Sequence, residues 1–434
     1  MAAGNYLKVS GRVSSGAPGL TDIDSSADAR VPAAGVLSTK VSLLYAAVYL
    51  HYGLFSVFMP VWLTHRGLHA NQVGVLAAVP MLLRVLFVAP VTNLADRTRR
   101  IRELLFLCIA MTAALMVALS LVSSFVALAI FFVVLSMSWD PLPILADAYA
   151  VASIRARGLD YGRMRVWGSL AYIGANIAGG KLIDRAGIQI LPVFTAILLL
   201  APLMVIPFLP ADRHFGDPAP SQKGEWRSLL RDAPLVVVVI AAALIVSSQA
   251  LYGVFSAIHW TSKGISAGYI GMLSGVGIGS EIAVLWVAQR LLGQRSPLWL
   301  IVIFGVLAVV RWLLLALDPG PLWLVPIQLL QGSGMGVVAG LMLFIARRVP
   351  QRLIATAQGV NAVVQGVVAA VAVAASGFLW QAFGTAGYVL MALIAVAGIA
   401  MIGFELAKTD RDDGGVGLSD GDLVMEVLTE APIL

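Results

Sequence analysis

Charged side chains interrupt several long apolar stretches of this sequence. Among them are Arg84, Asp140, Asp147, Arg165 and Glu281. A charge in hydrocarbon costs about 2.5–3.5 kcal/mol even on the mildest scales, so each side chain needs a partner, a cavity or a ligand. Carboxylates and guanidinium groups can pair with each other and bring helices into register, or they can bind a polar solute or a coupling ion. Asp140 and Asp147 are seven residues apart, which puts them on one face of a helix.

The composition explains why such charges are unusual here. Of 434 residues, 59% are hydrophobic and 12% are charged, and the mean hydropathy is +0.91. About one quarter of a soluble domain is charged, so the sequence predicts a polytopic membrane protein embedded in the lipid bilayer. The net charge of +6 reflects loop arginines that face the membrane surface, which argues against binding of nucleic acid. The single Cys108 provides no disulfide or metal site, and no motif indicates a cofactor or an enzyme.

Apolar runs long enough to span a bilayer predict an all-α protein with twelve transmembrane segments. Numbered in chain order, they lie near residues 41–63, 70–93, 102–122, 124–150, 164–184, 187–209, 234–259, 268–289, 298–316, 321–345, 354–382 and 385–405. A polar central cytoplasmic loop, residues 210–233, separates an N-terminal half, residues 40–209, from a C-terminal half, residues 234–406. Residues 1–39 are predicted to form a disordered cytoplasmic tail, and residues 407–434 an acidic cytoplasmic tail.

The charges beside the membrane predict the orientation of the chain. Sixteen lysines and arginines follow the even-numbered segments, whereas four follow the odd-numbered ones: Arg66, Lys181, Arg185 and Lys263. Positively charged loops remain in the cytoplasm. We therefore expect a multi-pass protein of the inner (cytoplasmic) membrane with both termini in the cytoplasm.

The two halves share an internal repeat. At a shift of 197 residues, RGLHANQVGVLAAV (66–79) aligns without a gap with KGISAGYIGMLSGV (263–276), and five of the fourteen positions are identical. The same register places Arg84 of segment 2 on Glu281 of segment 8. Transporters built from repeated halves bind their solute near the middle of the membrane, between the repeats. We therefore expect Arg84 and Glu281 near a binding site, with Asp140 at a comparable depth where it can pair with Arg84.

Two motifs resemble those of a known family. NLADRTRR (93–100) is a loosened form of the signature G-x-x-x-D-R-x-G-R-R, and DYGRMRVWGSLAY (160–172) contains a Gly-Arg-x-Arg-x-x-Gly run. Over residues 41–405 the chain resembles the major facilitator superfamily, in the branch of lactose permease, the nucleoside–proton symporters and the phenylpropionate permeases. The resemblance implies two pseudo-symmetric six-helix halves that move a small organic solute by alternating access. Asp96, Arg97 and Arg100 would then latch the cytoplasmic gate through charge-assisted bonds.

The resemblance also implies roles for charged residues of the segments. Arg165 matches a solute-binding arginine, Asp147 an acidic residue eighteen positions before it, Glu281 the acidic residue of helix 8, and Arg311 the arginine of helix 9. Because helix 8 lies against helix 5 in this fold, Glu281 would face Arg165. Lactose permease couples protons through a His and a Glu on helix 10, where this chain has Gln331 and Gly334. Since Gln331 cannot titrate, Asp147 or Glu281 would carry the proton.

Tyrosines complete the predicted binding site. Tyr45, Tyr49 and Tyr52 recur at helical spacing on segment 1, and Tyr252 lies on segment 7. Aromatic rings of this kind can stack on a solute ring while their hydroxyl groups form hydrogen bonds, although helix packing explains the spacing equally well.

The full set favours proton symport of an aromatic carboxylate, such as a phenylpropionate-like acid. Arg84 and Arg165 would bind the carboxylate, with Asp140 and Gln331 beside them. A sugar or nucleoside bound through its hydroxyl groups by Arg165 and Asp147 is an alternative, and a facilitator-fold sensor without flux is another. We expect a monomer without a cofactor, whose partners are the solute and a proton or other coupling ion.

Overall fold

The computed structural model describes residues 33–98, 100–122, 124–157, 159–211, 226–291 and 296–412, and the regular secondary structure in these ranges is helical. Most of the two predicted tails and of the central loop lies outside them. Segments 1, 2, 3, 5, 8, 9, 11 and 12 are the helices Ala34–His65, Ala70–Thr98, Ile101–Leu119, Tyr161–Ala186, Ala267–Leu291, Pro297–Ala316, Ile354–Phe383 and Gly387–Asp412. All twelve predicted segments are therefore present as helices or broken helices.

The four remaining segments are interrupted. Segment 4 consists of Phe125–Trp139 and Pro141–Arg157, and segment 7 of Ala233–Ser247 and Ala250–Ser262. Segment 6 consists of Leu191–Leu198 and Leu200–Val205 between the 3₁₀ turns Ile188–Ile190 and Ile206–Phe208. Segment 10 consists of Pro321–Leu329 and Ser333–Arg348, joined by the 3₁₀ turn Leu330–Gly332. Short helices Trp226–Leu229, Gln351–Leu353 and Gly384–Ala386 complete the list.

The break in segment 4 follows from its two prolines. A proline has no backbone N–H, so Pro143 cannot donate to the carbonyl of Trp139 four residues earlier. The hydroxyl group of Tyr52 on segment 1 donates to that carbonyl instead, at 2.9 Å. The Tyr52 ring packs against the Trp139 ring with centroids 4.3 Å apart. Segment 1 thus satisfies the backbone group that the proline leaves free, as membrane helices require.

Segment 5 is less apolar than most helices of the fold. Within the described ranges, nine stretches are long and apolar enough to cross a membrane, one of which covers segments 11 and 12 together, and segment 5 is not among them. Segment 2 begins with the apolar stretch Ala70–Leu83. Segment 2 packs on segment 11, and segment 5 packs on segments 1 and 8. A helix that faces protein more than lipid tolerates glycine and polar residues, which explains the composition of segment 5.

The two halves touch through these segments at glycine contacts. A Cβ atom on Gly74 would lie 2.8 Å from the backbone nitrogen of Gly377, and one on Gly180 would lie 2.3 Å from the carbonyl oxygen of Ala267. A Cβ atom on Gly271 would lie 2.1 Å from the carbonyl oxygen of Asn176. These backbones approach so closely that a larger residue would force the helices apart.

The glycine contacts also support the internal repeat. The shift of 197 residues carries Gly74 onto Gly271 and Gly180 onto Gly377. Segment 2 therefore meets segment 11 through the same positions by which segment 8 meets segment 5. Both contacts lie toward the segment ends that are predicted to face the outside, so the halves are closed against each other on that side.

Asp184 strengthens the contact between segments 5 and 8. Its carboxylate oxygens accept hydrogen bonds from the backbone N–H groups of Ala267, at 2.6 Å, and Gly268, at 2.8 Å. These groups begin segment 8 and have no partner within that helix. A residue of one half thus caps a helix of the other half, where the helix dipole also favours a negative charge.

Replacing Asp184 by alanine is expected to let the halves separate more often on this side. Loss of a helix cap costs about 0.5–2 kcal/mol, which shifts a two-state equilibrium by about twofold to thirtyfold. Ile173 packs against Gly275 deeper in the same contact. The effect is measured as the rate at which a membrane-impermeant maleimide labels a cysteine introduced at position 173. The introduced cysteine is Ile173→Cys in a Cys108→Ser background.

Asp232→Ala is the matched control for this measurement. Asp232 accepts from the N–H of Leu235 at 3.3 Å and pairs with Arg348, so both of its contacts lie within the C-terminal half. Its loss removes a helix cap without loosening the contact between halves. Equal labelling rates in the Asp184 and Asp232 variants would show that Asp184 does not hold the halves together.

Candidate functional site

A buried group of five side chains lies in the N-terminal half. This Asp147 cluster consists of Tyr45, Tyr49, Asp147, Tyr161 and Arg165. The Oδ1 atom of Asp147 accepts from the hydroxyl groups of Tyr45, at 2.6 Å, and Tyr161, at 3.1 Å. The guanidinium of Arg165 donates to the Tyr49 hydroxyl at 2.8 Å, and its Nε atom lies 4.0 Å from Asp147 Oδ1. A cation and a carboxylate thus share a pocket of phenol groups.

The local sequence explains how the cluster forms. Tyr45 and Tyr49 are one turn apart on segment 1, and Tyr161 and Arg165 are one turn apart on segment 5, so each pair shares a helix face. Asp160 caps segment 5 by accepting from the N–H of Arg163 at 3.1 Å, which fixes where that helix begins. The guanidinium carbon of Arg165 lies 4.1 Å from the centre of the Tyr49 ring, in a cation–π contact.

A second buried group lies in the C-terminal half. This Arg311 cluster consists of Tyr252, Glu281, Arg311, Gln328 and Gln331. Arg311 donates to the side-chain oxygen of Gln328, at 3.2 Å, and to that of Gln331. Gln331 donates its amide N–H to Glu281 Oε1 at 3.1 Å, and Tyr252 donates to Gln328 Oε1 at 3.0 Å. The Arg311 guanidinium carbon lies 4.2 Å from the centre of the Tyr252 ring.

Both clusters border the contact between the halves. Arg165 and Tyr172 are seven residues apart and so lie on one face of segment 5. The hydroxyl group of Tyr172 bonds that of Ser56 at 2.7 Å, within the N-terminal half. Tyr172 also lies close enough to Glu281 and Tyr252 for electrostatic interaction. Segment 5 therefore connects the Asp147 cluster to the Arg311 cluster.

The structure corrects one predicted pair. Glu281 was expected to face Arg165 across the halves, but among the described residues its carboxylate accepts from Gln331 of its own half. Arg165 contacts Tyr49 and Asp147, also of its own half. Gln331 rather than Arg165 contacts Glu281, because Gln331 lies in the 3₁₀ turn of segment 10 with its side chain between segments 8 and 9.

Several residues that were predicted for the site lie outside both clusters. Tyr52 bonds the backbone of segment 4, and Asp140 lies partly buried at the break of that segment. Arg100 is exposed just before segment 3. The side chains of Arg84, Asp96 and Arg97 lie outside what the structure describes, and so does the expected pair of Arg84 with Asp140.

Sequence reasoning missed Gln328 and made too little of Arg311. Arg311 was assigned only by resemblance, although it is a charge inside an apolar segment like the others. Gln328 precedes Gln331 by three residues, so both amides lie on the same side of segment 10. Two glutamines at this spacing in an apolar helix were the sequence feature that could have indicated a buried polar group here.

Comparison with known proteins identifies the family. The model of the MFS_1 like family matches residues 38–390, which is most of the chain. The chain belongs to this family. The predicted major facilitator fold and the prediction of a transporter rather than an enzyme are thereby confirmed, and the protein is a multi-pass membrane protein.

Two relatives of this major facilitator transporter carry substrate names. It is 27% identical over 365 residues to the "Probable 3-phenylpropionic acid transporter" of Escherichia coli (strain K12), covering 82% of this chain and 94% of the relative. It is 26% identical over 398 residues to the "Maltose permease" of Geobacillus stearothermophilus, covering 88% of this chain and 97% of the relative.

Solved structures share the fold of this transporter. The nucleoside transporter NupG superposes with a TM-score of 0.75 at 14% identity, covering 86% of this chain and 98% of NupG. A bacterial homologue of the lysosomal transporter Spinster, solved in an inward-facing and unoccupied conformation, superposes with a TM-score of 0.68 at 14% identity, covering 88% and 98%. At these identities the likeness establishes the fold alone.

Proposed function

We propose that this transporter carries an aromatic carboxylate, such as 3-phenylpropionate, across the cytoplasmic membrane by alternating access with protons. One observation carries the proposal: each half presents a buried guanidinium against a tyrosine ring, Arg165 on Tyr49 in the N-terminal half and Arg311 on Tyr252 in the C-terminal half. A guanidinium binds a carboxylate through two parallel hydrogen bonds, and the neighbouring rings offer a surface for an aromatic group.

The similarity to a protein named as a 3-phenylpropionic acid transporter supports this solute class, because it extends over most of both chains. A neutral sugar or nucleoside is the second candidate. Asp147 accepts from two phenol hydroxyl groups, and solute hydroxyl groups could replace them. The similarity to a maltose permease supports this alternative.

Further parts of the proposal rest on the sequence. Arg84 and Asp140 contribute to solute binding from segments 2 and 4, and Asp96, Arg97 and Arg100 latch the cytoplasmic gate. Asp147 or Glu281 carries the proton. The protein acts as a monomer with both termini in the cytoplasm.

Uptake into proteoliposomes tests the solute class. The purified transporter is reconstituted and supplied with radiolabelled 3-phenylpropionate, maltose or uridine, each with and without a pH gradient that is acidic outside. Accumulation of 3-phenylpropionate that requires the gradient is the expected result. Accumulation of maltose or uridine without any flux of the acid would favour the second candidate.

A further inference from the structure

Arg311 carries a buried positive charge that has no carboxylate partner among the described residues. Its side chain is 1% exposed, and no carboxylate oxygen of the described part lies within the 4.0 Å of an ion pair. Arg311 donates to the neutral amide oxygens of Gln328 and Gln331, and Glu281 and Tyr252 lie close enough for electrostatic interaction. Its Nε atom is buried without a hydrogen-bond partner. A buried guanidinium in this state retains capacity to bind an anion.

Gln331 keeps the nearest carboxylate away from Arg311. Its side-chain oxygen accepts from the guanidinium, while its amide nitrogen donates to Glu281 at 3.1 Å. The carboxamide of glutamine has the planar shape of a carboxylate and carries no charge. Gln331 is also less buried than Arg311 and lies in the 3₁₀ turn of segment 10, where the helix is already interrupted. Its side chain therefore covers the guanidinium.

We propose that Arg311 anchors the carboxylate of the solute, which takes the place of the Gln331 carboxamide. This inference rests on the proposed function in so far as the solute is an organic acid. The bound carboxylate would supply a negative charge in direct contact with the Arg311 guanidinium. The Tyr252 ring, 4.2 Å from the guanidinium carbon, would lie beside the solute. Arg165 is less suited to this role because Asp147 already lies 4.0 Å from its Nε atom.

Gln331→Glu is the sharpest test, because it keeps Arg311 and places a fixed carboxylate where the solute carboxylate would bind. We expect 3-phenylpropionate to bind about thirtyfold or more weakly than to wild type, as expected when a charged contact is lost. Gln331→Ala uncovers Arg311 and should bind the acid at least as tightly as wild type. Gln365→Glu, which makes the same chemical change beside Asn361 on segment 11, is the matched control and should bind it normally.

Arg311 itself is tested by Arg311→Gln and Arg311→Lys. Equilibrium dialysis with purified protein compares 3-phenylpropionate with the uncharged 3-phenylpropanol. Arg311→Gln should lose the preference for the acid, and Arg311→Lys should retain part of it, because lysine keeps the charge without the two-pronged geometry. If Arg311→Gln does not fold, the comparison of the two Gln331 variants decides the question.

The dialysis panel also contains the aliphatic acid hexanoate and the neutral solutes maltose and uridine. Binding of hexanoate but not of 3-phenylpropionate, with loss in Gln331→Glu, would refute the aromatic solute and support Arg311 as the anchor. Tight binding of 3-phenylpropionate to Gln331→Glu or Arg311→Gln would refute the anchor and leave the proposed function standing. Binding of neutral solutes alone would refute both.

Discussion

Replacing Arg165 by alanine should abolish uptake and lower the yield of folded transporter, and a second change, Asp147→Ala, should restore the yield but not the uptake. Removing one partner of a buried ion pair costs about 3–5 kcal/mol in soluble proteins, because the other charge remains buried without compensation. We expect about 3 kcal/mol here, since Tyr45 and Tyr161 still donate to Asp147. Removing both charges avoids that penalty, so the yield recovers. Uptake does not recover, because both side chains that would bind the solute are gone.

A double-mutant cycle on thermal unfolding in detergent measures the coupling. The free energies for Arg165→Ala, Asp147→Ala and the double variant should show interaction of about 1 kcal/mol or more, because the side chains are in contact. The double-mutant cycle of Arg165 with Glu281 should show little interaction energy, since Glu281 contacts Gln331 instead. Arg163→Ala removes an exposed arginine of the same helix and controls for the loss of charge.

Two results would contradict this account of the Asp147 cluster. Normal uptake by the double variant would show that neither residue contacts the solute. Strong coupling of Arg165 to Glu281 rather than to Asp147 would show that the pair across the halves dominates the stability of the folded protein.

The fold was predictable because each transmembrane segment is a long apolar run and the charges concentrate in alternate loops. Part of the site was also predicted. The seven-residue spacing placed Asp140 and Asp147 on one helix face, and the family resemblance named Asp147 and Arg165 as site residues, which lie together in the Asp147 cluster. The glycine contacts between halves follow from the repeat, since one shift relates Gly74 to Gly271 and Gly180 to Gly377.

The partner of Glu281 was not predictable in the same way. Helix periodicity places Glu281 on a face of segment 8, but two neighbours, segments 5 and 10, can supply the contact. The choice depends on the 3₁₀ turn Leu330–Gly332, which turns Gln331 toward segment 8. That turn ends at Gly332 and is followed by Ser333 and Gly334, so the sequence indicates where segment 10 is interrupted but not toward which neighbour Gln331 turns. The bridge from Arg311 through Gln331 to Glu281 was consequently missed.

Glu281→Gln is expected to abolish accumulation of the solute against its gradient while exchange of solute across the membrane continues. Arg311 and Glu281 together are neutral when both are ionised. A solute carboxylate bound to Arg311 would leave one net negative charge buried in the membrane, and a proton on Glu281 removes it. The other polar groups near this carboxyl, on segments 10, 7 and 5, are Gln331, Tyr252 and Tyr172, which are uncharged.

Asp147→Asn separates the two proposed proton carriers. Protonation of Asp147 would leave Arg165 without its carboxylate, whereas Glu281 has no direct contact with a cation that protonation would break. We therefore expect Asp147→Asn to weaken binding, and with it both accumulation and exchange. Glu281→Gln should instead bind the solute with little dependence on pH.

Proteoliposomes distinguish these outcomes. Accumulation of 3-phenylpropionate is measured with a pH gradient that is acidic outside, and counterflow is measured without one in vesicles preloaded with unlabelled acid. Loss of accumulation with retained counterflow in Glu281→Gln identifies the proton carrier, since a neutral glutamine permits solute binding but releases no proton. Glu405→Gln, at a buried glutamate of segment 12, is the control and should accumulate normally. Full accumulation in both Glu281→Gln and Asp147→Asn would exclude these carboxyl groups from coupling, and the proton would then have to travel with the acid itself.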